Sequence, residues 1–92
     1  MYPTLRREIE GLQDGIIRFT QDLVRTPSLS LCETDVAGMV ETTMHDLEYD
    51  QVFTDEIGNI VGVILGGDPQ FTVVLNSHMD TVRPDPVDAW SF

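Results

Sequence analysis

The sequence predicts an α/β fold, in which two N-terminal helices are followed by a three-stranded antiparallel meander. Up to residue 47, apolar residues recur at intervals of three and four, which is the spacing of one helix face. After Tyr49, short apolar runs alternate with turn-forming residues, and connections this short join antiparallel neighbours. The last run is apolar throughout, which indicates a strand buried on both faces within a larger mixed sheet.

The first predicted helix starts near Thr4, a candidate N-cap, and continues to about residue 25. Gly11 and Gly15 each weaken it by about 1 kcal/mol relative to alanine. Pro27 ends it, because the residue before a proline avoids helical backbone. Its apolar face consists of Leu5, Ile9, Leu12, Ile16, Phe19 and Leu23.

The sequence SLCE, residues 30–33, predicts the start of the second helix. Ser30 can cap the amide three residues later while Glu33 reaches back, which is the capping-box arrangement. The apolar stripe that follows consists of Val36, Val40, Met44 and Leu47. His45, on the same helix, is interpreted as a surface residue.

Three strands are predicted, in QVFTD (51–55), IVGVIL (60–65) and FTVVLN (71–76). Gly58 and Asn59 are interpreted as turn formers between the first two strands. The sequence GGDPQ (66–70) supplies the second turn. Beyond Asp80 the chain is rich in proline and irregular.

Length, charge and cysteine content limit the classes of function that this chain can have. The chain has 92 residues, enough for one small domain, and a formal net charge of -11. Such a surface repels phosphate backbones, so nucleic-acid binding is not expected. One cysteine, Cys32, excludes an internal disulfide and suits a reducing compartment. Neither a signal peptide nor a transmembrane stretch is recognisable, so a cytoplasmic protein without membrane contact is expected.

His78 and Asp80 are the residues most suggestive of chemistry, and they follow the third apolar run. Residues two apart lie on the same side of an extended backbone, so Asp80 can accept the N–H of His78. The other ring nitrogen would then face a metal, and imidazole is a common zinc ligand. A hydrogen-bonded polar strand end produces the same pattern. The two residues alone therefore leave a metal site and a structural strand end both open.

The pair lies in HMDTV (78–82), and two further segments accompany it, LVRTPSLS (23–30) and DEIGN (55–59), with Trp90 downstream. In their order along the chain they resemble the zinc-dependent amidohydrolases and peptidases of the aminoacylase and carboxypeptidase G type. Acetylornithine deacetylase and succinyl-diaminopimelate desuccinylase belong to that family. The combination is most similar to a subgroup of deacetylases and selenium-metabolism hydrolases. Departures are Asn76 and Ser77 in place of glycine, and Arg83 where proline is common.

The resemblance implies a dinuclear zinc hydrolase, with cobalt or manganese as alternative metals, that cleaves amide bonds in N-acyl amino acids or small peptides. His78 is implied as a metal ligand. Asp80 is implied as the part of the catalytic apparatus that orients it. In such enzymes two cations polarise the scissile carbonyl and activate a bridging water, and a glutamate takes the proton. A small-molecule substrate and a homodimer of the full-length protein are the implied partners.

The family's other ligands and its general base have no counterpart in this sequence. Residues 1–92 are therefore expected to be the N-terminal part of a catalytic domain, without the inserted dimerisation or lid domain and inactive alone. Asp85 and Asp88 are interpreted as solvated loop carboxylates, and Trp90 as structural cover. Two alternatives stay open: a non-catalytic α/β interaction or ligand-binding domain without a working metal site, and a relative that binds ligand but no longer hydrolyses it.

Overall fold

The computed structural model describes residues 1–82 and contains three helices and two strands over that range. In chain order they are α1 (Tyr2–Gly11), α2 (Gln13–Arg25), α3 (Thr34–Asp46), β1 (Gln51–Thr54) and β2 (Ile60–Val63). Residues 1–26 belong to one compact unit, and residues 27–82 belong to a second. Over residues 1–82, none of the helices combines the length and apolar character needed to span a lipid bilayer.

The first unit contains α1 and α2, where the sequence predicted one continuous helix. The two helices are separated at Leu12, whose backbone has φ -95° and ψ 0°. The Leu12 N–H donates to the Ile9 carbonyl oxygen at 3.0 Å, which is the tighter pattern of a helix end. Gly11 directly precedes the break and is the weakest helix former in that turn. The apolar stripe is preserved, but Leu5, Ile9 and Ile16 are each about half exposed, at 49%, 57% and 52%.

The second unit packs α3 against a hairpin. Val36 on α3 is 5% exposed and is the buried apolar residue of the described chain. Strands β1 and β2 pair antiparallel from Gln51↔Val63 to Thr54↔Ile60. In the turn between them Gly58 adopts a left-handed backbone with φ 94°. A side-chain hydrogen bond from Asn59 lowers the pKa of Asp55, so this carboxylate is ionised while it organises the turn.

The predicted three-stranded meander is wrong for the residues that the structure describes. The sheet there has two strands, and residues 71–76 form no strand. Phe71, Val73 and Leu75 are 76%, 84% and 92% exposed. An apolar run indicates a tendency to be buried, but a strand also requires a neighbour to pair its backbone N–H and C=O groups. No described segment provides that neighbour. Over residues 1–82 the fold is therefore three helices with a two-stranded sheet.

Gly62 on β2 lies against the side chains of Met44 and Tyr49. A Cβ atom at this position would be 2.6 Å from Cδ2 of Tyr49 and 2.7 Å from Sδ of Met44. We expect Gly62→Ala to lower the free energy of unfolding by about 1–2 kcal/mol, because the inserted methyl group overpacks this contact. Urea unfolding measures the effect.

Gly38→Ala is the matched control for that substitution. Gly38 lies within α3 and has no neighbouring atom within 4 Å of the added Cβ. Alanine there should raise the free energy of unfolding by up to about 1 kcal/mol, because it is the better helix former. Equal unfolding midpoints for Gly62→Ala and the unmodified protein would contradict the packing described above.

Candidate functional site

The candidate site forms where two segments from distant parts of the sequence are hydrogen-bonded together. The Ser28 hydroxyl donates to the Met79 carbonyl oxygen at 2.7 Å. The Thr81 N–H donates to the Ser28 carbonyl oxygen at 2.6 Å, and the Thr81 hydroxyl approaches the same oxygen at 3.4 Å. Ser28 is completely buried. Its hydroxyl and its carbonyl group are both satisfied by this pairing, as buried polar groups require. The pairing thus fixes the backbone that carries His78 and Asp80.

His78 and Asp80 meet within this segment. The Nδ1 atom of His78 lies 3.1 Å from Oδ1 of Asp80 and 2.8 Å from the Asp80 carbonyl oxygen. A carboxylate and a carbonyl oxygen can only accept, so the hydrogen-bond network assigns the proton of the neutral ring to Nδ1. Nε2 then carries a free lone pair. The His78 side chain is 83% exposed, and none of residues 1–82 bonds to Nε2.

Ser30 forms a cluster with His78 and Asp80, whereas its spacing from Glu33 predicts a helix cap. Its hydroxyl donates to Oδ2 of Asp80 at 2.6 Å. The predicted capping box is absent: α3 begins at Thr34 without a side-chain cap, and the Glu33 carboxylate accepts the N–H of Leu31 at 3.1 Å. Leu31 has a left-handed backbone with φ 67°, which is uncommon for leucine. This turn separates Ser30 from the helix start and leaves its hydroxyl available for Asp80.

The signal that points to the two serines lies in their spacing. Ser28 and Ser30 lie two residues apart, directly after Pro27, which ends the preceding helix. An interval of two on extended backbone places both side chains on one side. The sequence S-x-x-E fits a capping box equally well, and only the contacts with residues 79–81 distinguish the two arrangements.

The electrostatic state of Asp80 follows from these contacts. The Ser30 hydrogen bond lowers the pKa of the Asp80 carboxyl, and the nearby His78 ring lowers it further. Partial removal from solvent acts in the opposite direction; its effect on the pKa is smaller than that of Ser30 but larger than that of His78. Asp80 is therefore ionised at neutral pH. A negative charge next to Nδ1–H stabilises this orientation of the ring and makes Nε2 a stronger base.

His78 is the side chain of this cluster that is suited to bind a transition metal. Within residues 1–82, no group of three or more His, Cys, Asp or Glu residues lies close enough together to hold a metal ion. An exposed imidazole with Nδ1 bound to a carboxylate and Nε2 free has the donor chemistry of a zinc ligand. His45 is separate from this cluster, because it lies on α3 with Nε2 4.0 Å from Glu41. The predicted roles of Arg83, Asp85, Asp88 and Trp90 fall outside the described residues.

Comparison with known proteins gives few relatives. No protein-family model and no solved structure matches the chain. The chain is 34% identical over 91 residues to an uncharacterized protein, YgeY, of Escherichia coli strain K12. It is equally similar to the protein of the same name from Escherichia coli O157:H7. The match includes 99% of this chain and 22% of the relative, so the chain spans less than a quarter of the length of the curated relatives it matches.

Proposed function

We propose that this chain is part of the catalytic domain of a zinc-dependent hydrolase that cleaves amide bonds in N-acyl amino acids or small peptides. His78 binds zinc through Nε2, and Asp80 holds the ring in place. One observation carries the proposal: both acceptors near Nδ1 belong to Asp80, at 3.1 Å and 2.8 Å, and they leave Nε2 free on an exposed ring.

The contacts of this segment favour a ligand over a structural strand end. Within the described residues, 71–80 form no strand. The His78 ring contributes little to packing, being 83% exposed. Nε2 on this exposed ring is accessible to an incoming metal ion.

Two segments of the family resemblance are also in contact. LVRTPSLS and HMDTV are far apart in the sequence, yet Ser28 and Ser30 from the first bond to Met79, Asp80 and Thr81 in the second. A hydrolase needs its metal ligand on a rigid support. The buried Ser28 provides such a support directly beside the ligand.

Three residues of the candidate site have separate roles in the proposed reaction. His78 donates the Nε2 lone pair, Asp80 keeps the Nδ1 proton in place, and Ser28 fixes the backbone between them. Zinc, when bound, supplies Lewis-acid polarisation of the amide carbonyl and makes water acidic enough to be deprotonated near neutral pH. A catalytic zinc commonly takes three protein ligands. His78 would be one of them, and residues 1–82 bring no second and third ligand close to it.

The experiment uses the protein as its gene encodes it, assayed against a panel of N-acetyl amino acids and dipeptides. We expect hydrolysis that is lost on treatment with a zinc chelator and restored by zinc or cobalt. Hydrolysis that persists at the same rate after complete removal of metal would refute the metal-dependent mechanism. Zinc binding without hydrolysis of any member of the panel would instead identify a ligand-binding relative that has lost catalysis.

A further inference from the structure

We infer that Ser30 is a positioning residue for the metal ligand: its hydroxyl fixes the Asp80 carboxylate that orients His78. The inference rests on the proposed function and deepens it. The three side chains form a continuous chain of contacts, from Ser30 Oγ to Asp80 Oδ2 at 2.6 Å and from Asp80 Oδ1 to His78 Nδ1 at 3.1 Å.

A carboxylate held at one oxygen alone is poorly oriented. Rotation about the last side-chain torsion of aspartate is broad, because that torsion joins sp³ and sp² carbons. The Asp80 side chain is 39% exposed, so water competes for its oxygens. Ser30 holds Oδ2, and the plane of the group is then set by a partner at each oxygen. Oδ1 is thereby held against the ring nitrogen of His78.

Ser30 is itself presented by an anchored segment. Ser28, two residues earlier, is completely buried and bonds to both Met79 and Thr81. The two serines therefore have different tasks. Ser28 joins the backbones of the two segments, whereas the exposed Ser30 contributes only its hydroxyl to Asp80.

Removing the Ser30 hydroxyl should leave the fold intact. The first turn of α3 has no side-chain cap, so this helix does not depend on Ser30. The Leu31 N–H is bonded to Glu33, which is also independent of the hydroxyl. A change in metal binding in Ser30→Ala therefore reports on Asp80 and His78 and not on unfolding.

The first experiment measures zinc affinity in the full protein by competition with a chromophoric chelator. We expect Ser30→Ala to weaken zinc binding about 3- to 10-fold, less than the 10- to 100-fold typical of a direct partner of a ligand. Ser30→Thr keeps the hydroxyl and should restore the affinity. Ser77→Ala is the matched control, because its hydroxyl lies 3.4 Å from the His78 carbonyl oxygen and does not contact Asp80.

A double-mutant cycle tests whether Ser30 acts through Asp80. In the Asp80→Ala background, Ser30→Ala should have no further effect on zinc affinity, because the group it positions is gone. Additive losses would overturn the inference, since they would mean that Ser30 supports the site by another route. Equal affinity for Ser30→Ala and the unmodified protein would overturn it as well.

The second experiment needs no metal and separates this inference from the proposed function. Histidine rings are labelled selectively with ¹⁵N, and His78→Gln assigns the His78 signal. The spectrum, recorded at a pH at which the ring is neutral, reports which ring nitrogen carries the proton. We expect His78 to be protonated at Nδ1 and to shift toward the Nε2–H form in Ser30→Ala, with Ser30→Thr restoring it. An unchanged tautomer ratio overturns the positioning role. A shifted ratio in a protein that binds no zinc through His78 supports the positioning role and refutes the proposed function.

Discussion

His78→Ala is expected to lower the zinc affinity of the protein by more than about 100-fold and to reduce amide hydrolysis by a similar factor. Loss of a partner that only orients a ligand typically costs 10- to 100-fold, and this substitution removes the ligand itself. The fold should tolerate the change, because the ring is 83% exposed and its described contacts are with Asp80. Substitutions at such positions usually change the free energy of unfolding by less than about 0.5 kcal/mol.

His45→Ala is the matched control for this result. His45 is also a largely exposed histidine, with 60% of its side chain accessible, but it lies on α3 beside Glu41. Removing it should leave zinc affinity unchanged. Zinc content and affinity measured on both variants decide the assignment. If His78→Ala binds zinc as tightly as the unmodified protein, His78 is not a ligand, and the exposed ring is a polar feature of the loop.

The features predicted well from the sequence are those that depend on local periodicity. The apolar spacing around Val36 predicts α3, and the DEIGN segment predicts the turn in which Gly58 has φ 94°. The H-x-D spacing likewise places Nδ1 of His78 3.1 Å from Oδ1 of Asp80, because two residues so near in sequence can meet through local geometry alone. Such relations need no knowledge of the rest of the fold.

The features that were missed depend on partners far away in the sequence. The run at residues 71–75 is apolar enough for a buried strand, yet no described segment pairs with it, and Leu75 is 92% exposed. Ser30 fits a capping box by spacing, but its hydroxyl bonds to Asp80, 50 residues away. The break at Leu12 falls in a stripe whose periodicity continues without interruption. Sequence spacing describes which side chains share a face but does not identify their partner.

This distinction affects how the candidate site is understood. The motif at residues 78–82 supplies the side chains for metal chemistry, whereas the segment after Pro27 supplies the support that fixes them. Ser28 is the fully buried polar residue of the described chain, and it is used to join these two segments. A polar residue is buried at a cost unless its groups are satisfied. Here the same hydrogen bonds pair the polar groups of Ser28 and hold the two segments of the site together.

Asp80→Asn is expected to weaken zinc binding and amide hydrolysis about 10- to 100-fold. The amide keeps one acceptor oxygen, which can still face the Nδ1–H of His78, and its NH₂ group can donate to the Ser30 hydroxyl oxygen. The geometry of the cluster is therefore largely retained. What is lost is the negative charge, held on Asp80 by the Ser30 hydrogen bond that lowers its pKa. Without that charge, Nε2 is a weaker base and a weaker ligand.

Asp55→Asn distinguishes this local effect from the general charge of the protein, which has a formal net charge of -11. Asp55 is likewise a carboxylate whose pKa is lowered by hydrogen bonding, in this case to Asn59 in the hairpin turn. Both substitutions remove one negative charge, so a general attraction of cations would weaken equally in the two variants. We expect zinc affinity to fall in Asp80→Asn alone. Unchanged affinity and activity in Asp80→Asn would instead leave Asp80 as a structural acceptor, because the amide preserves its hydrogen bonds and removes only the charge.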